Sequence, residues 1–214
     1  MAPTAISFGG YVTAADVRNA VQKTIEYWSD TYLAEMSRHD GQSPLTASGT
    51  FPSFASYPDA LDMSRFPEEQ LPACVLVVPG LTSAPQMRGT GKFTAEFTIG
   101  LGIAVTGPDK SRTIQLAQLY TTAVRMLILQ NSSLGDFAMG VHWTREEFTG
   151  NIIHPDDART IAMRILEFIV QVDDVVDVSQ GPSIPIPNGE TPTGWATIET
   201  PSISITSVPV GETP

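Results

Sequence analysis

The sequence predicts an α+β fold, in which a mainly antiparallel four-stranded sheet carries two amphipathic helices packed on one face. Three observations lead to this fold class: a long segment of alternating apolar residues, two segments with helical periodicity, and the order helix, strand, strand, helix, strand, strand. Paired strands separated by helices are typical of α+β domains, whose helices cover one side of an antiparallel sheet. We expect an extended C-terminal arm to follow this domain.

The alternating segment, 92–106, is predicted to be the central strand. Its odd-numbered positions from Phe93 to Val105 are all apolar, whereas the even-numbered positions hold Thr, Glu, Gly and a single Ala. A period of two places one set of side chains in a core and the other toward solvent or a partner. Gly100 and Gly102 lie within the strand and lack a third glycine, so they indicate a close approach of another chain segment rather than a dinucleotide-binding loop.

The two helices are predicted from apolar residues spaced three and four apart. The first follows a capping box, Thr13-Ala14-Ala15-Asp16, and is expected to end near Gly41. The second follows a break at Gly107-Pro108-Asp109, where Pro108 or Asp109 suits the first turn. Their predicted apolar faces comprise Val17, Val21, Ile25, Trp28, Tyr32 and Met36 in the first helix, and Ile114, Leu116, Ala117, Leu119, Tyr120, Ala123, Val124, Leu127 and Ile128 in the second. We expect Trp28 and Tyr32 to lie in the core rather than in an interface.

A short buried strand is predicted at 71–78, before the central strand. Five consecutive apolar residues from Cys74 to Val78 indicate the strand, and Pro79-Gly80 is expected to end it. A connection at 81–91, which contains Gly and Pro and is long for a hairpin, then leads to the central strand.

Two closing strands are predicted after the second helix. The segment 137–144 alternates, and 149–157 is expected to be a turn. The segment 159–172 has apolar residues on both faces, which indicates burial on two sides. A helix remains the competing interpretation there, because 162–167 contains good helix formers.

The remaining segments define the predicted domain organisation. A flexible leader at 1–11 precedes the domain at 12–178, and a Pro-, Ser- and Thr-rich C-terminal arm follows at 179–214. Within the domain, 41–72 keeps no period and is predicted to be a long exposed loop that orders partly against the body or a partner. The arm is too apolar for a solvated linker, and its segment 201–206 alternates like a strand.

Composition and charge argue against several functional classes. The chain has 12 Lys and Arg against 23 Asp and Glu, a formal net charge of −11, whereas proteins that grip nucleic acid depend on basic side chains. No apolar run approaches the roughly 20 residues that cross a bilayer, and the first ten residues lack the pattern of a signal peptide. We therefore expect no membrane association and folding in a reducing cytoplasm.

The sequence offers few candidates for catalysis. It contains no phosphate-binding loop and no serine flanked by the glycines of a nucleophile elbow. His39, His142 and His154 are the candidates for acid–base chemistry near neutral pH. His142 and Glu146 would share a metal only on a helix, whereas their segment alternates as a strand, and His154 lies in a predicted turn, His-Pro-Asp-Asp. We expect no catalytic, cofactor-binding or metal-binding residues and no enzymatic activity.

Two further sets of reactive side chains also have structural interpretations. Cys74, the single cysteine, stands beside an apolar run and is predicted to be a buried, inert thiol. Asp173, Asp174 and Asp177 are predicted to be a solvated acidic edge rather than a calcium site, because the ligand spacing and glycine turn of such a site are missing.

The order of these elements resembles the tail terminator proteins of long-tailed bacteriophages. The resemblance covers 12–177 and depends on the N-terminal amphipathic helix, the Pro-Ala-Cys-Val-Leu-Val-Val strand at 72–78, the alternating strand at 93–105, the helix at 109–130 and the two closing strands. The loop at 41–72 and the C-terminal arm depart from the compact pattern of that family.

The resemblance implies a structural virion protein without catalytic residues or cofactors. Members of that family form homo-oligomeric rings, usually hexamers, that cap the tail tube, end its polymerisation and join tail to head. The implied partners are further copies of the chain, the tail tube protein, a head-completion or neck protein, and DNA that passes through the lumen without specific binding. The implied location is the tail or neck of the virion, after assembly in the host cytoplasm. We hypothesise that 203–210 adds as a strand or extended arm to a neighbouring subunit or tail component.

Other functions stay open at this point. Another neck or tail-completion protein, or a tail-tube subunit, belongs to the same class, although tube subunits build open stacks and a terminator builds one closed ring. A small-ligand-binding module would need a concave apolar pocket with convergent polar groups. An enzyme would need histidines and acids to come together in space.

Overall fold

The computed structural model describes residues 11–40, 51–59, 67–88, 92–153, 160–173 and 175. The chain separates into two units, Met1–Gly181 and Pro182–Pro214, and every described residue lies in the first. The predictions for 1–10 of the leader and for the C-terminal arm at 179–214 lie outside the described residues.

The described chain forms an α+β fold with two long helices and one antiparallel sheet, as the sequence predicts. The helices are α1 (Ala14–Asp40) and α2 (Lys110–Gln130), and the strands are β1 (Ala73–Leu81), β2 (Gln86–Arg88), β3 (Lys92–Thr106), β4 (Gly140–Ile153) and β5 (Thr160–Val172). The strand order is β1-β3-β5-β4, and β2 pairs with the beginning of β3. The sheet therefore has one strand more than predicted. β2 was missed because its three residues are all exposed and carry no apolar period.

The central position of β3 confirms the role predicted for the alternating segment. Leu101 pairs with Leu76 of β1 on one side and with Leu166 of β5 on the other. Six of its odd-numbered residues are buried in the main core, which also contains the apolar faces of both helices. Burial of this one face holds the helices on one side of the sheet.

Capping side chains fix where both helices begin. In α1 the N–H of Thr13 donates to Oδ2 of Asp16 at 2.8 Å, so the predicted capping box is confirmed. In α2 the side chain of Asp109 accepts from the N–H of Arg112 at 2.9 Å. Each cap satisfies a backbone donor that the helix itself leaves unpaired.

The prediction that Trp28 lies in the core is wrong, since 38% of its surface is exposed. The buried stripe of α1 that faces the sheet continues from Ile25 through Ser29 to Leu33. A step of four residues is closer to the helical period of about 3.6 than a step of three, which would lead from Ile25 to Trp28. Trp28 therefore lies on the flank. Tyr32 is half-buried and packs against the core as predicted, while its hydroxyl donates to Oε1 of Gln130 at 2.7 Å.

The prediction that Pro79-Gly80 ends the first strand is also wrong. β1 continues to Leu81, and its register with β3 shifts between Val77 and Gly80. A bulge accommodates a proline in a strand because the ladder is already interrupted there. Gly80 has a φ of 141°, which favours glycine at this point.

The last two strands differ in how well the sequence predicts them. β4 begins at Gly140 and extends to Ile153, so Phe137 and Met139 precede it and 149–153 of the predicted turn belong to the strand. The remaining residues of that predicted turn, 154–157, lie outside the described residues. Two bulges interrupt the alternation of β4, which hid the second half of the strand. β5 is a strand and not a helix, with Leu166, Phe168, Val170 and Val172 on the helix-covered face, as predicted.

The described parts of the predicted loop are 51–59, which is ordered against the body, and 67–72, which includes a short 3-10 helix, Glu68–Gln70. The N–H groups of Cys74 and Leu76 donate to the carbonyls of Ser56 and Pro58, at 3.0 and 3.1 Å. Phe51 and Phe54 are buried, and their ring centroids lie 5.6 and 5.7 Å from that of Tyr120. The prediction that this loop orders partly against the body is confirmed for 51–59, whereas the expectation of exposure is wrong for these two aromatic residues. The outer edge of β1 is covered by the chain's own backbone.

Candidate interaction surface

The outer edge of β4 is the most distinctive surface of the described chain. The strand order places β4 at the end of the sheet, opposite β1, and no described residue pairs with its outer side. An edge strand presents a row of N–H and C=O groups that can pair with another extended segment. The two ends of the sheet therefore differ, because 51–59 covers the β1 edge and nothing in the described ranges covers the β4 edge.

Two threonines hold β4 in register where its bulges occur. The register with β5 shifts between Trp143 and Arg145 and again between Phe148 and Gly150, so Thr144 and Thr149 are the extra residues. The hydroxyls of the two threonines donate to carbonyls of β5, those of Glu167 and Met163, each at 2.9 Å. These bonds replace ladder contacts that a bulge interrupts.

Glu146 joins β4 to both the second helix and the neighbouring strand. Its carboxylate accepts from Nη1 of Arg125 in α2 and, at 2.9 Å, from Nη2 of Arg164 in β5. The three side chains are between 15% and 26% exposed. We call this set the Arg–Glu–Arg bridge. Because two guanidinium groups donate to one carboxylate, the Arg–Glu–Arg bridge holds β4 to both α2 and β5 with charged hydrogen bonds.

Two aromatic residues flank the Arg–Glu–Arg bridge. The guanidinium carbon of Arg125 lies 4.8 Å from the ring centroid of Trp143, and that of Arg164 lies 5.8 Å from the ring centroid of Phe148. Both distances are within the range of cation–π attraction. Trp143 remains 45% exposed and Phe148 41% exposed, so each ring offers apolar surface beside the strand edge.

The opposite face of β4 is polar. Opposite His142, Arg145 and Glu147, the β5 partners are Ile169, Glu167 and Ile165, which lie on the face away from the helices. Arg145 and Glu147 form an ion pair between exposed side chains. β4 thus has an aromatic face toward α2 and a charged face on the other side, and both reach the same free edge.

The charge of this region differs from that of the whole chain. Three arginines, Arg125, Arg145 and Arg164, stand beside three carboxylates, those of Glu146, Glu147 and Glu167, so the charge of this region is balanced in a chain whose formal net charge is −11. An acidic partner segment would meet less repulsion here than on a surface with the average charge of the protein.

His39 and His142, the two histidines among the described residues, lie on different elements and do not come together. His142 and Glu146 lie on opposite faces of β4, because their partners Ile169 and Leu166 lie on opposite faces of β5. His39 lies 3.1 Å from Oε1 of Glu35 on the exposed side of α1. His154 lies outside the described residues. Within the described ranges, no three His, Cys, Asp or Glu side chains are grouped in a way that could hold a metal ion.

Cys74 is buried as the sequence predicts, and Asp173 is partly exposed at the end of β5. Cys74 is fully buried in β1, and burial raises the pKa of its thiol far above the ordinary value. Asp173 follows β5, accepts from the hydroxyl of Thr94 and lies 3.9 Å from Arg88. Asp174 and Asp177 lie outside the described residues.

A second surface feature is a groove of about 770 Å³ between α1 and the turn that follows α2. Tyr27 and Trp28 line it in an edge-to-face arrangement, with ring centroids 4.9 Å apart. Its other walls include Lys23, Asn131 and Phe137. The groove is open and mixes polar with apolar walls, so it suits shallow contact with a partner better than enclosure of a small molecule.

The Arg–Glu–Arg bridge was not identified from the sequence, although one signal was present. Arg164 has the same strand parity as Leu166 and Phe168, whose face packs against the helices. A charged side chain on a core-facing position needs a partner. Its partner Glu146 could not be deduced, because the extra residue at Thr144 moves every later side chain of β4 to the opposite face from the one that simple alternation predicts.

Comparisons with known proteins establish no family for this chain. No protein-family model and no curated protein matches it. Among solved structures, it is similar to a chain from the virion of a native gene transfer agent particle, with 14% identity, a TM-score of 0.45, and coverage of 77% of this chain and 99% of that one. A match at this identity and TM-score does not establish a shared fold or function. None of the described helices is long and apolar enough to cross a membrane.

Proposed function

We propose that the chain is a non-enzymatic structural protein of a bacteriophage virion, a tail terminator that forms a ring on the end of the tail tube. In this role it ends tube polymerisation and joins tail to head. The observation that carries the proposal is the element order of the fold. The resemblance to tail terminators depends on the order helix, two strands, helix, two strands. The structure has this order as α1, then β1 and β3, then α2, then β4 and β5.

The surface of the described chain supports an assembly role. Exposed large apolar side chains gather on β4 and its approach, where Met139, Trp143 and Phe148 are each more than 40% exposed. Interface cores are enriched in aromatic residues, Met and Arg, and Arg125 and Arg164 accompany these rings. A ring subunit needs such surface because every copy contacts two neighbours through different patches.

The charge of the chain supports the passage of DNA through the proposed ring. Proteins that hold duplex DNA do so mainly with Lys and Arg, whose phosphate contacts release counterions. With 12 basic against 23 acidic side chains, a lumen of average composition repels the duplex. We expect the assembled protein to show no retention of duplex DNA in a mobility-shift assay at low salt, where such binding would be strongest.

The test of the proposed function begins with light scattering coupled to size exclusion at two protein concentrations. A discrete closed oligomer, near six subunits, is expected at both, and negative-stain electron microscopy should show single rings. The rings are then mixed with tail tubes of the virus that encodes the chain. Rings at tube ends, and tubes that stop elongating, are the expected result.

Three outcomes would contradict the tail terminator role. Open stacks of rings would indicate a tail-tube subunit. Rings that bind the neck but leave tube elongation unchanged would indicate another neck or tail-completion protein. A monomer that also fails to bind tube ends would favour a binding module, for which the groove beside Tyr27 and Trp28 is the surface to test with a ligand screen.

A further inference from the structure

We propose that the outer edge of β4 accepts the segment 201–206 from a neighbouring copy of the same chain, which adds to the sheet as a further strand. This inference deepens the proposed function and rests on it, because it names the contact between adjacent subunits of the ring. The segment belongs to the C-terminal arm, outside the described residues.

The backbone of β4 calls for an extended partner rather than a globular surface. Its strand spans 14 residues, and no described residue pairs with its outer side. At the other end of the sheet, the carbonyls of Ser56 and Pro58 accept from N–H groups of β1. An added strand would satisfy the donors and acceptors of β4 in the same way, which is the basis of recognition by strand addition.

The side chains of the segment match both faces of β4. Ile203 and Ile205 alternate with Ser202, Ser204 and Thr206, so an extended segment has one apolar and one polar face. One parity of pairing lays the two isoleucines beside the aromatic face of β4 and the three hydroxyls beside its charged face. A register shifted by one residue would place the two isoleucines against the charged face of β4, which is unfavourable. The alternation of the segment therefore selects the first register.

The aromatic and the charged side chains lie on opposite faces of β4. The helix-side face carries Trp143 and Phe148, and the opposite face carries His142, Arg145 and Glu147. Cross-strand contacts between aromatic and β-branched side chains are among the stabilising pairs of antiparallel sheets.

Charge also favours this donor. Residues 176–214 contain Asp177, Glu190, Glu199 and Glu212 and have no Lys, Arg or His. The β4 region balances Arg125, Arg145 and Arg164 against the carboxylates of Glu146, Glu147 and Glu167. An arm with only acidic charges therefore meets less repulsion at this free edge than on a surface with the average charge of the chain.

The chain beyond Val175 is long enough to leave its own subunit. The last described residue, Val175, donates its N–H to the carbonyl of Phe93 at the end of the sheet where Gln171 pairs with Gly140, the first residue of β4. Residues 176–202 can span up to roughly 90 Å when extended, and about 30 Å as a flexible coil. A donor arm and a separate acceptor edge form a head-to-tail contact, which closes into a ring when the rotation permits.

The decisive test uses disulfides between two different variants in a mixture. One protein carries Ser202→Cys or Ser204→Cys, and the other carries His142→Cys, Arg145→Cys or Glu147→Cys. Native Cys74 is fully buried and does not compete. After mild oxidation of an equimolar mixture, we expect at least one donor–acceptor pair to give a covalent dimer on a non-reducing gel, which reducing agent removes.

The control replaces the acceptor variant with Ser111→Cys, an exposed position at the start of α2, which should give no dimer above background. No dimer from any of the donor–acceptor mixtures would overturn the inference. A double variant, Ser204→Cys with Glu147→Cys, that closes only within one chain would also overturn it, because the arm would then occupy its own subunit.

Assembly provides an independent readout. Deletion of 201–214, or the pair Trp143→Ala with Phe148→Ala, should remove the oligomer in light scattering while circular dichroism and the melting transition stay close to those of the full chain. Met87→Ala is the matched control, because Met87 is 63% exposed on β2, away from β4. A ring that persists without 201–214 would overturn this inference and leave the proposed function standing, whereas a ring that never binds tube ends would overturn the proposed function alone.

Discussion

Arg112, in the first turn of α2, forms a two-point ion pair with Asp40, the last residue of α1. Nη1 of Arg112 donates to Oδ1 of Asp40 at 2.8 Å, and Nη2 donates to Oδ2. Both side chains are almost completely buried, at 8% and 2% exposure. The hydrogen bonds to Asp40 raise the pKa of Arg112 and keep its guanidinium charged. The end of one helix is thus fixed to the beginning of the other.

Asp40→Ala is expected to destabilise the protein by about 3–5 kcal/mol, because it leaves the Arg112 charge buried without its partner. Urea unfolding followed by circular dichroism measures the change. Asp40→Ala with Arg112→Met removes both charges and should recover a large part of the loss. A loss below about 1 kcal/mol for the single variant, as found for exposed pairs, would show that the pair does not stabilise the fold.

Glu146→Ala is expected to cost about 2 kcal/mol, since Arg125 and Arg164 both lose a charged, partly buried acceptor. Glu147→Ala is the matched control one residue away. Its pair with Arg145 is 47% and 61% exposed, so a change below about 0.5 kcal/mol is expected. Equal losses for the two variants would indicate that the Arg–Glu–Arg bridge does not hold β4 to α2.

Local periodicity carried most of the fold prediction. The alternation of β3 and most of the apolar stripe of α2 were predicted correctly because neither element contains an irregularity, although Ile114 is only half-buried and lies outside the core. β4 was read as too short because Thr144 and Thr149 each add a residue and reverse the alternation. Trp28 was assigned to the core because it follows Ile25 by three residues, a spacing that the helical period allows. The buried stripe instead continues by four residues, from Ile25 to Ser29, so Trp28 lies beside it.

The candidate surface was less accessible to sequence reasoning than the fold. That β4 is the free edge depends on strand order, and the order β1-β3-β5-β4 is decided by tertiary packing rather than by any single segment. The contact of Trp143 with Arg125 joins a strand to a helix across the same packing. The sequence did indicate the other half of the proposed contact, the alternating segment 201–206, because alternation is a local property.

Cys74 is expected to react with a thiol reagent only after unfolding. Its side chain is fully buried in β1, and burial raises the pKa of the thiol, so the thiolate that reacts is scarce in the folded protein at pH 8. Absorbance with a chromogenic disulfide should show no release over minutes in buffer and one equivalent in concentrated urea. Full reaction in buffer would show that β1 opens locally, against the covering by 51–59 that the structure shows.

The capping box at the start of α1 should make stability sensitive to acid. The hydroxyl and the N–H of Thr13 donate to Oδ2 of Asp16, and these bonds lower the pKa of the carboxyl below its ordinary value. Because the pKa is lower in the folded state than in the unfolded state, the contribution is complete above the unfolded pKa. It is lost as the pH falls below about 4 and through the folded pKa. Asp16→Asn removes this titration, so its melting temperature relative to the parent chain should be lower at pH 7 and converge with it at pH 2–3. A difference between the two chains that stays constant over that range would show that Asp16 does not stabilise the helix through its charge.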